Sequence, residues 1–138
     1  MKVMIGKSDE RLKELILYIA TKCDDSHNLG AVKLNKILFL ADFTAYKSFG
    51  QPITGSEYMR LPNGPAPRRL KPVRQQMVED GDIKVIEQDL GSPLFKPMQK
   101  IVPLRKADVS HFTADEIVLV DTIIEAAAGL TGAEPQDC

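Results

Sequence analysis

Residues 34–46 have the sequence LNKILFLADFTAY, and this stretch predicts a helix that is apolar on nearly every side. One stripe at helical spacing would face a core and consists of Leu34, Ile37, Leu38, Ala41 and Ala45. Apolar side chains also project from the opposite side, at Phe39, Leu40, Phe43 and Tyr46. A helix of this kind either lies at the centre of a fold or presents one face to a partner. The sequence leaves both possibilities open.

Four helices are predicted in all, at about residues 8–22, 29–50, 71–80 and 113–129, the last ending at Gly129 or Gly132. Ser8 can cap the first helix, and Thr113-Ala-Asp-Glu116 has the capping-box pattern that opens the last. Gly50 is suited to end the second helix in a left-handed conformation. Pro72 would break a helix interior but suits a first turn, so we place the start of the third helix near Lys71.

Proline dominates the segment between the second and third helices, QPITGSEYMRLPNGPAP at residues 51–67. The prolines forbid a continuous helix and favour extended backbone, with a short extended segment at residues 57–61. Further along, residues 83–87 predict a strand, and a turn at residues 89–93 joins it to a hairpin partner at residues 95–104.

The length of 138 residues predicts one domain of the α+β class, mainly helical with a small antiparallel hairpin. We expect it to occupy residues 1–130 and residues 131–138 to form a flexible tail. The longest apolar run, at residues 15–20, is far too short for a membrane helix. With no secretory signal recognisable, this predicts a cytoplasmic protein with no membrane partner.

The chain contains none of the common catalytic or nucleotide-binding motifs, which predicts a protein that is not an enzyme. Its only imidazoles are His27 and His111 and its only thiols are Cys23 and Cys138, too few for a zinc cluster. We therefore expect no metal and no cofactor.

Charge is unevenly distributed, although the net charge is only −1. Residues 1–106 carry all 18 Lys and Arg with 12 Asp and Glu, whereas residues 107–138 carry 7 acidic residues and no base. Residues 60–78 are basic without any acid. Either the acidic last helix packs beside this basic segment, or the segment is available to a partner.

A DNA-binding alternative follows from the same basic segment. Four of its basic residues lie just before or within the third predicted helix: Arg68, Arg69, Lys71 and Arg74. With the hairpin that follows, this helix could form the recognition helix and wing of a winged-helix-like regulator. The hairpin tip at residues 89–93 is acidic where a wing would be basic, so we expect no nucleic-acid partner.

An ordered set of motifs points more directly to a function. It runs from KLNKILFLADF at residues 33–43, through PITGSEY at residues 52–58, to LPNGPAP at residues 61–67. The set resembles the Panacea-domain family of SocA-like antitoxins and proteolytic adaptors of bacteria and phages. The hallmark of that family is close to K-L-x-K-L-L-Y-x-A-D, followed by I-T-G-x-x-Y and G-P-x-P. Asn63 stands where many members have an aromatic residue.

The resemblance implies a domain that binds and neutralises a partner toxin, usually encoded by the adjacent gene. Some members instead act as adaptors that deliver the toxin to the ClpXP protease. Neither catalysis nor a cofactor is implied.

Two interpretations of the motif residues stay open. In the first, they form a partner-binding surface made of Phe39, Phe43, Tyr46, Tyr58, Arg60, Asn63, Pro65, Arg68 and Arg69. In the second, Asp42, Tyr46, Thr54 and Tyr58 hydrogen-bond to one another and lock the Pro-rich segment onto the second helix. The positions assigned a motif or structural role are Lys33, Lys36, Asp42, Thr54, Gly55, Gly64 and Pro67.

Overall fold

A computed structural model describes residues 7–22, 30–62, 64–88 and 98–130. In chain order its elements are α1 (Lys7–Lys22), α2 (Ala31–Phe49), β1 (Tyr58–Leu61), β2 (Gly64–Pro67), α3 (Leu70–Glu79), β3 (Ile83–Gln88), β4 (Met98–Pro103), a 3-10 helix (Val109–His111) and α4 (Ala114–Leu130). This arrangement confirms the predicted α+β, mainly helical fold. Several predicted features lie outside the described residues: Cys23, His27, Asn63, the hairpin tip at residues 89–93 and the tail at residues 131–138.

Two helices supply most of the buried core. Helix α1 buries the side chains of Leu12, Leu15, Ile16, Leu17, Ile19 and Ala20. It begins at Lys7, so Ser8 lies inside the helix and the predicted cap is wrong by two residues. Helix α2 buries its predicted stripe completely and ends at Gly50, whose φ of 83° is the left-handed terminator that the sequence indicates.

The Pro-rich segment contains a strand pair that the sequence analysis did not predict. Strand β1 pairs with β2 in antiparallel register, with Tyr58 opposite Pro67 and Leu61 opposite Gly64. Two of the four β2 residues are prolines, which lack the N–H that a strand normally donates. For this reason the sequence pattern does not predict a strand here. We call β1 and β2 together the Pro-rich hairpin; its β2 strand packs on α2.

The second strand pair follows α3. Helix α3 begins at Leu70, one residue before its predicted start, and buries Leu70, Val73 and Met77. Strands β3 and β4 pair antiparallel as predicted, with Ile83 opposite Pro103. Strand β4 spans Met98–Pro103, within the predicted residues 95–104, of which residues 95–97 lie outside the described chain.

Helix α4 opens with the predicted capping box. The Thr113 amide donates to Glu116 Oε1 at 2.9 Å, and the Glu116 amide donates to Thr113 Oγ1 at 3.1 Å. The ion pairs of α4 are with α1, where Arg11 meets Glu116 at 2.9 Å and Lys22 meets Asp121 at 3.9 Å. Among the described residues the ion pairs of this acidic helix thus lie on α1, and none is with the basic segment 60–78, beside which one of the two alternatives placed it. None of the described helices is both long and apolar enough to span a bilayer.

Candidate functional site

The outer face of α2 carries an exposed aromatic patch, which consists of Phe43, Tyr46 and Phe49. Their exposed fractions are 48%, 61% and 45%. Beside them the half-buried ring of Phe39 stacks on Phe43, with 5.7 Å between ring centroids. Helix α2 is thus a core helix on one side and exposes aromatic side chains to solvent on the other. Several large exposed apolar side chains on one helix are typical of interaction sites.

Phe49 is exposed beside the predicted partner-binding residues but is not one of them, although its spacing along the helix indicates its position. It follows Tyr46 by three residues, a spacing that makes the two side chains neighbours on the helix surface.

Cations stand at the rim of the aromatic patch. The Lys47 ammonium lies over the ring of Phe43, 5.5 Å from its centroid. Lys36 is exposed and precedes Phe43 by seven residues, two helical turns along the same side. Lys33, the other motif lysine, is half-buried.

Behind the patch, Asp42 fastens the Pro-rich segment to α2. Its carboxylate is 4% exposed. Oδ1 accepts the Thr54 amide at 2.7 Å, and Oδ2 accepts the Thr54 hydroxyl at 2.5 Å and the Tyr58 hydroxyl at 2.6 Å. These bonds join Asp42, Thr54 and Tyr58 in the hydrogen-bonded cluster that the second interpretation describes. Tyr46 takes no part in the bonds to Asp42, which corrects that part of the prediction.

Tyr58 contacts three residues of α2. Its hydroxyl also lies 2.9 Å from the Leu38 carbonyl, and its ring meets Phe39 edge-on at 5.7 Å between centroids. Burial, together with the negative Asp42 carboxylate, raises the pKa of Tyr58, so its hydroxyl stays protonated and remains a donor. The predicted surface residue is therefore half-buried, with its polar end inside the protein.

The remaining motif residues shape the Pro-rich hairpin. Gly55 and Gly64 have φ values of 72° and 118°, where an L-residue would be strained. Pro67 is buried, whereas Pro65 and Arg60 are exposed. Of the residues predicted at the edge of the patch, Arg60 is thus the one whose side chain is exposed, and Asn63 is outside the described residues.

The basic segment is largely paired within the protein. Arg68 Nε meets Glu57 at 3.0 Å on the surface, and Arg69 meets the buried Asp9 at 3.0 Å. Arg74 is half-buried, and burial lowers the pKa of its guanidinium. Of the four predicted phosphate contacts, Lys71 is the one that is exposed and forms no ion pair with a described residue. This arrangement leaves little of the segment's charge for a phosphate backbone.

Arg11 joins four parts of the fold, and nothing in its sequence context predicts this. Its guanidinium donates to the carbonyls of Ile53 and His111, contacts both Glu116 oxygens at 2.9–3.0 Å and lies over the Phe112 ring. A groove of about 430 Å³ borders it, between residues 51–55 and the start of α4. The bonded guanidinium offers that groove no free charge. In the described part of the chain, no three His, Cys, Asp or Glu side chains come together as metal ligands would.

The family of the chain follows from comparison with known proteins. Residues 34–137 match the family described as antitoxin SocA-like, Panacea domain. That range contains α2 from Leu34 onward, the Pro-rich hairpin and every described element after them, so it covers both the aromatic patch and the Asp42 cluster. No curated protein and no solved structure matches the chain. The protein belongs to the SocA-like, Panacea-domain antitoxin family.

Proposed function

We propose that this protein is an antitoxin that binds a protein toxin encoded by the adjacent gene and neutralises it by direct contact. The observation that carries the proposal is the exposed aromatic patch on α2, inside the range matched by the antitoxin family. Aromatic residues supply a large share of binding energy at protein interfaces because they bury much apolar surface with few rotatable bonds. Three such side chains on one helix face are a suitable anchor for a partner.

The charge at the rim of the patch suggests the chemistry of the partner surface. Lys36 and Lys47 flank the aromatic side chains, while the nearby Asp42 is buried and bonded. A partner with carboxylates around an apolar centre would complement this surface and would be steered towards it.

The proposed action is binding without catalysis, in the cytoplasm. Three of the buried carboxylates of the described chain are held by protein donors: Asp42 by Thr54 and Tyr58, Glu14 by Arg105, and Glu116 by Arg11. Groups held in this way position the fold and are poorly placed to take a proton from a substrate.

Co-expression tests the proposal directly. The adjacent gene product, expressed alone, should arrest growth, and co-expression of this protein should restore growth and give a co-purifying complex. The double variant Phe43→Ala/Tyr46→Ala should weaken the complex by roughly tenfold or more, since interface aromatics are frequent hot spots. Val78→Ala is the matched control, because Val78 is 44% exposed on α3 and outside the patch. Growth arrest that persists on co-expression, with no complex, would refute the proposal.

Delivery to ClpXP is the second mode that the family allows, and the lifetime of the toxin separates it from occlusion. If the protein acts as an adaptor, the toxin should disappear faster when this protein is present, and only in cells that contain ClpX. If it acts by occlusion alone, the lifetime of the toxin should not depend on ClpX while growth is still restored.

A further inference from the structure

The hydrogen-bond register of the Pro-rich hairpin determines which main-chain groups point outward. The Arg68 amide donates to the Glu57 carbonyl at 2.6 Å, so these two residues form a hydrogen-bonded pair next to the ladder. Bonded and non-bonded pairs alternate along an antiparallel ladder. Met59–Ala66 and Leu61–Gly64 are therefore the bonded pairs, and Tyr58–Pro67 and Arg60–Pro65 are the non-bonded ones.

The outer edge of β2 cannot donate to another strand. Pro65 and Pro67 occupy the non-bonded positions, where an N–H would point away from β1, and proline has no N–H. Strand β2 also packs on α2. Both features close this edge to pairing with another chain.

The outer edge of β1 is open. At the non-bonded positions the N–H and C=O groups of Tyr58 and Arg60 point away from β2. Within the described chain no group is bonded to these main-chain atoms, and β1 packs chiefly against β2. Unpaired donors and acceptors in a row are a template for another strand. The two edges of the same hairpin thus differ: one is blocked by proline and the other is available.

We infer that β1 accepts an extended segment of the toxin as a third strand, which pairs with the main chain of Tyr58 and Arg60. This inference rests on the proposed function, and it names the main-chain groups to which the toxin would bind. The segment would carry a carboxylate near Arg60, because that exposed guanidinium has no ion pair with a described residue. The neighbouring Glu57 is paired with Arg68 and Asp42 is buried, so neither carboxylate is an ion-pair partner of Arg60.

The same strand would bring apolar side chains towards the aromatic patch. Side chains of adjacent strands lie side by side on the same face of a sheet. On β1 the face that carries Tyr58 is turned to α2, where its ring meets Phe39, which in turn stacks on Phe43. An apolar residue beside Tyr58 on the added strand would extend this row of rings, and the carboxylate beside Arg60 would lie two residues away on the same face.

The decisive comparison uses Arg60→Pro and Arg60→Ala, with the purified adjacent-gene product as the probe. Both variants lose the Arg60 side chain, but only proline also removes the outward N–H. Because that N–H takes no part in the β1–β2 ladder, proline should be tolerated as it is at Pro65, directly opposite. We expect Arg60→Pro to bind at least about tenfold more weakly than Arg60→Ala, at equal thermal stability. Equal binding by the two variants would overturn the inference.

Amide hydrogen exchange on the unmodified protein decides the question even if Arg60→Pro does not fold. The amides of Tyr58 and Arg60 should exchange fast in the free protein and become protected in the complex, whereas the Met59 amide should be protected in both. A complex in which the Tyr58 and Arg60 amides still exchange fast overturns the inference and leaves the proposed function standing. Absence of any complex overturns both. The Tyr58 and Arg60 amides could instead be protected in the free protein, to a degree that rises with its concentration. That result would mean that a second copy occupies the edge of β1, and it would likewise overturn the inference.

Discussion

The hydroxyl of Tyr58 lies 2.6 Å from Oδ2 of Asp42, a contact that spans 16 residues of sequence. It explains why an A-D pair in one motif and an I-T-G-x-x-Y run in the next occur together. Asp42 sits on α2, Thr54 and Tyr58 come from the Pro-rich segment, and the carboxylate binds both. The motif therefore fastens the hairpin in place, and the groups free to meet a partner are its neighbours.

Removing the Tyr58 hydroxyl should destabilise the fold measurably. Tyr58→Phe deletes a hydrogen bond to a buried carboxylate, and such bonds contribute about 1.5–3 kcal/mol. Tyr46→Phe is the matched control, because Tyr46 is 61% exposed and its loss of a hydroxyl should cost under about 0.5 kcal/mol. Urea unfolding of the two variants measures the difference. Equal free energies of unfolding would show that the Asp42 cluster does not hold the hairpin.

Stability should fall in acid through Glu14. Burial raises the pKa of this carboxyl. Hydrogen bonds from Arg105 and from the Asp108 amide lower it by a larger amount, so its pKa lies below the usual 4.5. A group whose folded pKa is depressed contributes stability that is complete above its unfolded pKa and is lost as the pH falls through the folded one. The free energy of unfolding should therefore decrease from about pH 4.5 downward.

Two variants isolate this contribution. Glu14→Gln and Arg105→Gln should each be less stable than the wild type at pH 7 and should each lose less stability between pH 7 and pH 3. The measurement is urea unfolding at a series of pH values. If both variants follow the wild-type pH dependence in parallel, the Glu14–Arg105 pair is not its source.

Lysine should fail to replace Arg11. The guanidinium bonds two carbonyls and a carboxylate in three directions, a geometry that a single ammonium cannot reproduce. We expect Arg11→Lys to cost about 2 kcal/mol, in the range of lost hydrogen bonds to charged groups. Arg68→Lys is the control, since its partner Glu57 is on the surface and such pairs contribute about 0–1 kcal/mol. Thermal unfolding compares the two, and equal shifts would contradict the assigned role of Arg11.

Specific binding to duplex DNA should be absent at physiological ionic strength. Arg68 and Arg69 are paired with Glu57 and Asp9, and Arg74 is half-buried. Fluorescence anisotropy with the gene's own promoter should show no nanomolar binding. A nanomolar affinity that falls with salt at a slope of about −0.9 per neutralised phosphate would contradict this and favour the DNA-binding alternative.

Local patterns in the sequence predicted most of the fold. The four helices, the capping box at Thr113 and the terminator at Gly50 all depend on residues within a few positions of each other, so periodicity and capping chemistry are sufficient to find them. The ordered motifs indicated the family for the same reason, because their spacing can be seen in the chain itself. The starts of α1, α2 and α3 differ from the predicted ones by one or two residues, because helix ends are set by tertiary packing as much as by propensity.

The sequence by itself determined that α2 has two apolar sides, but only the tertiary structure decided which side is covered. Burial is a property of what packs against a face, and α1, α4 and the Pro-rich hairpin come from distant parts of the chain. The same reason hid the role of Arg11 and the pairing of α4 with α1, since each joins residues about a hundred positions apart. Strand β2 could not be predicted for a related reason. Its prolines argue against a strand locally, and only the pairing with β1 shows that an N–H at these positions would point away from the ladder.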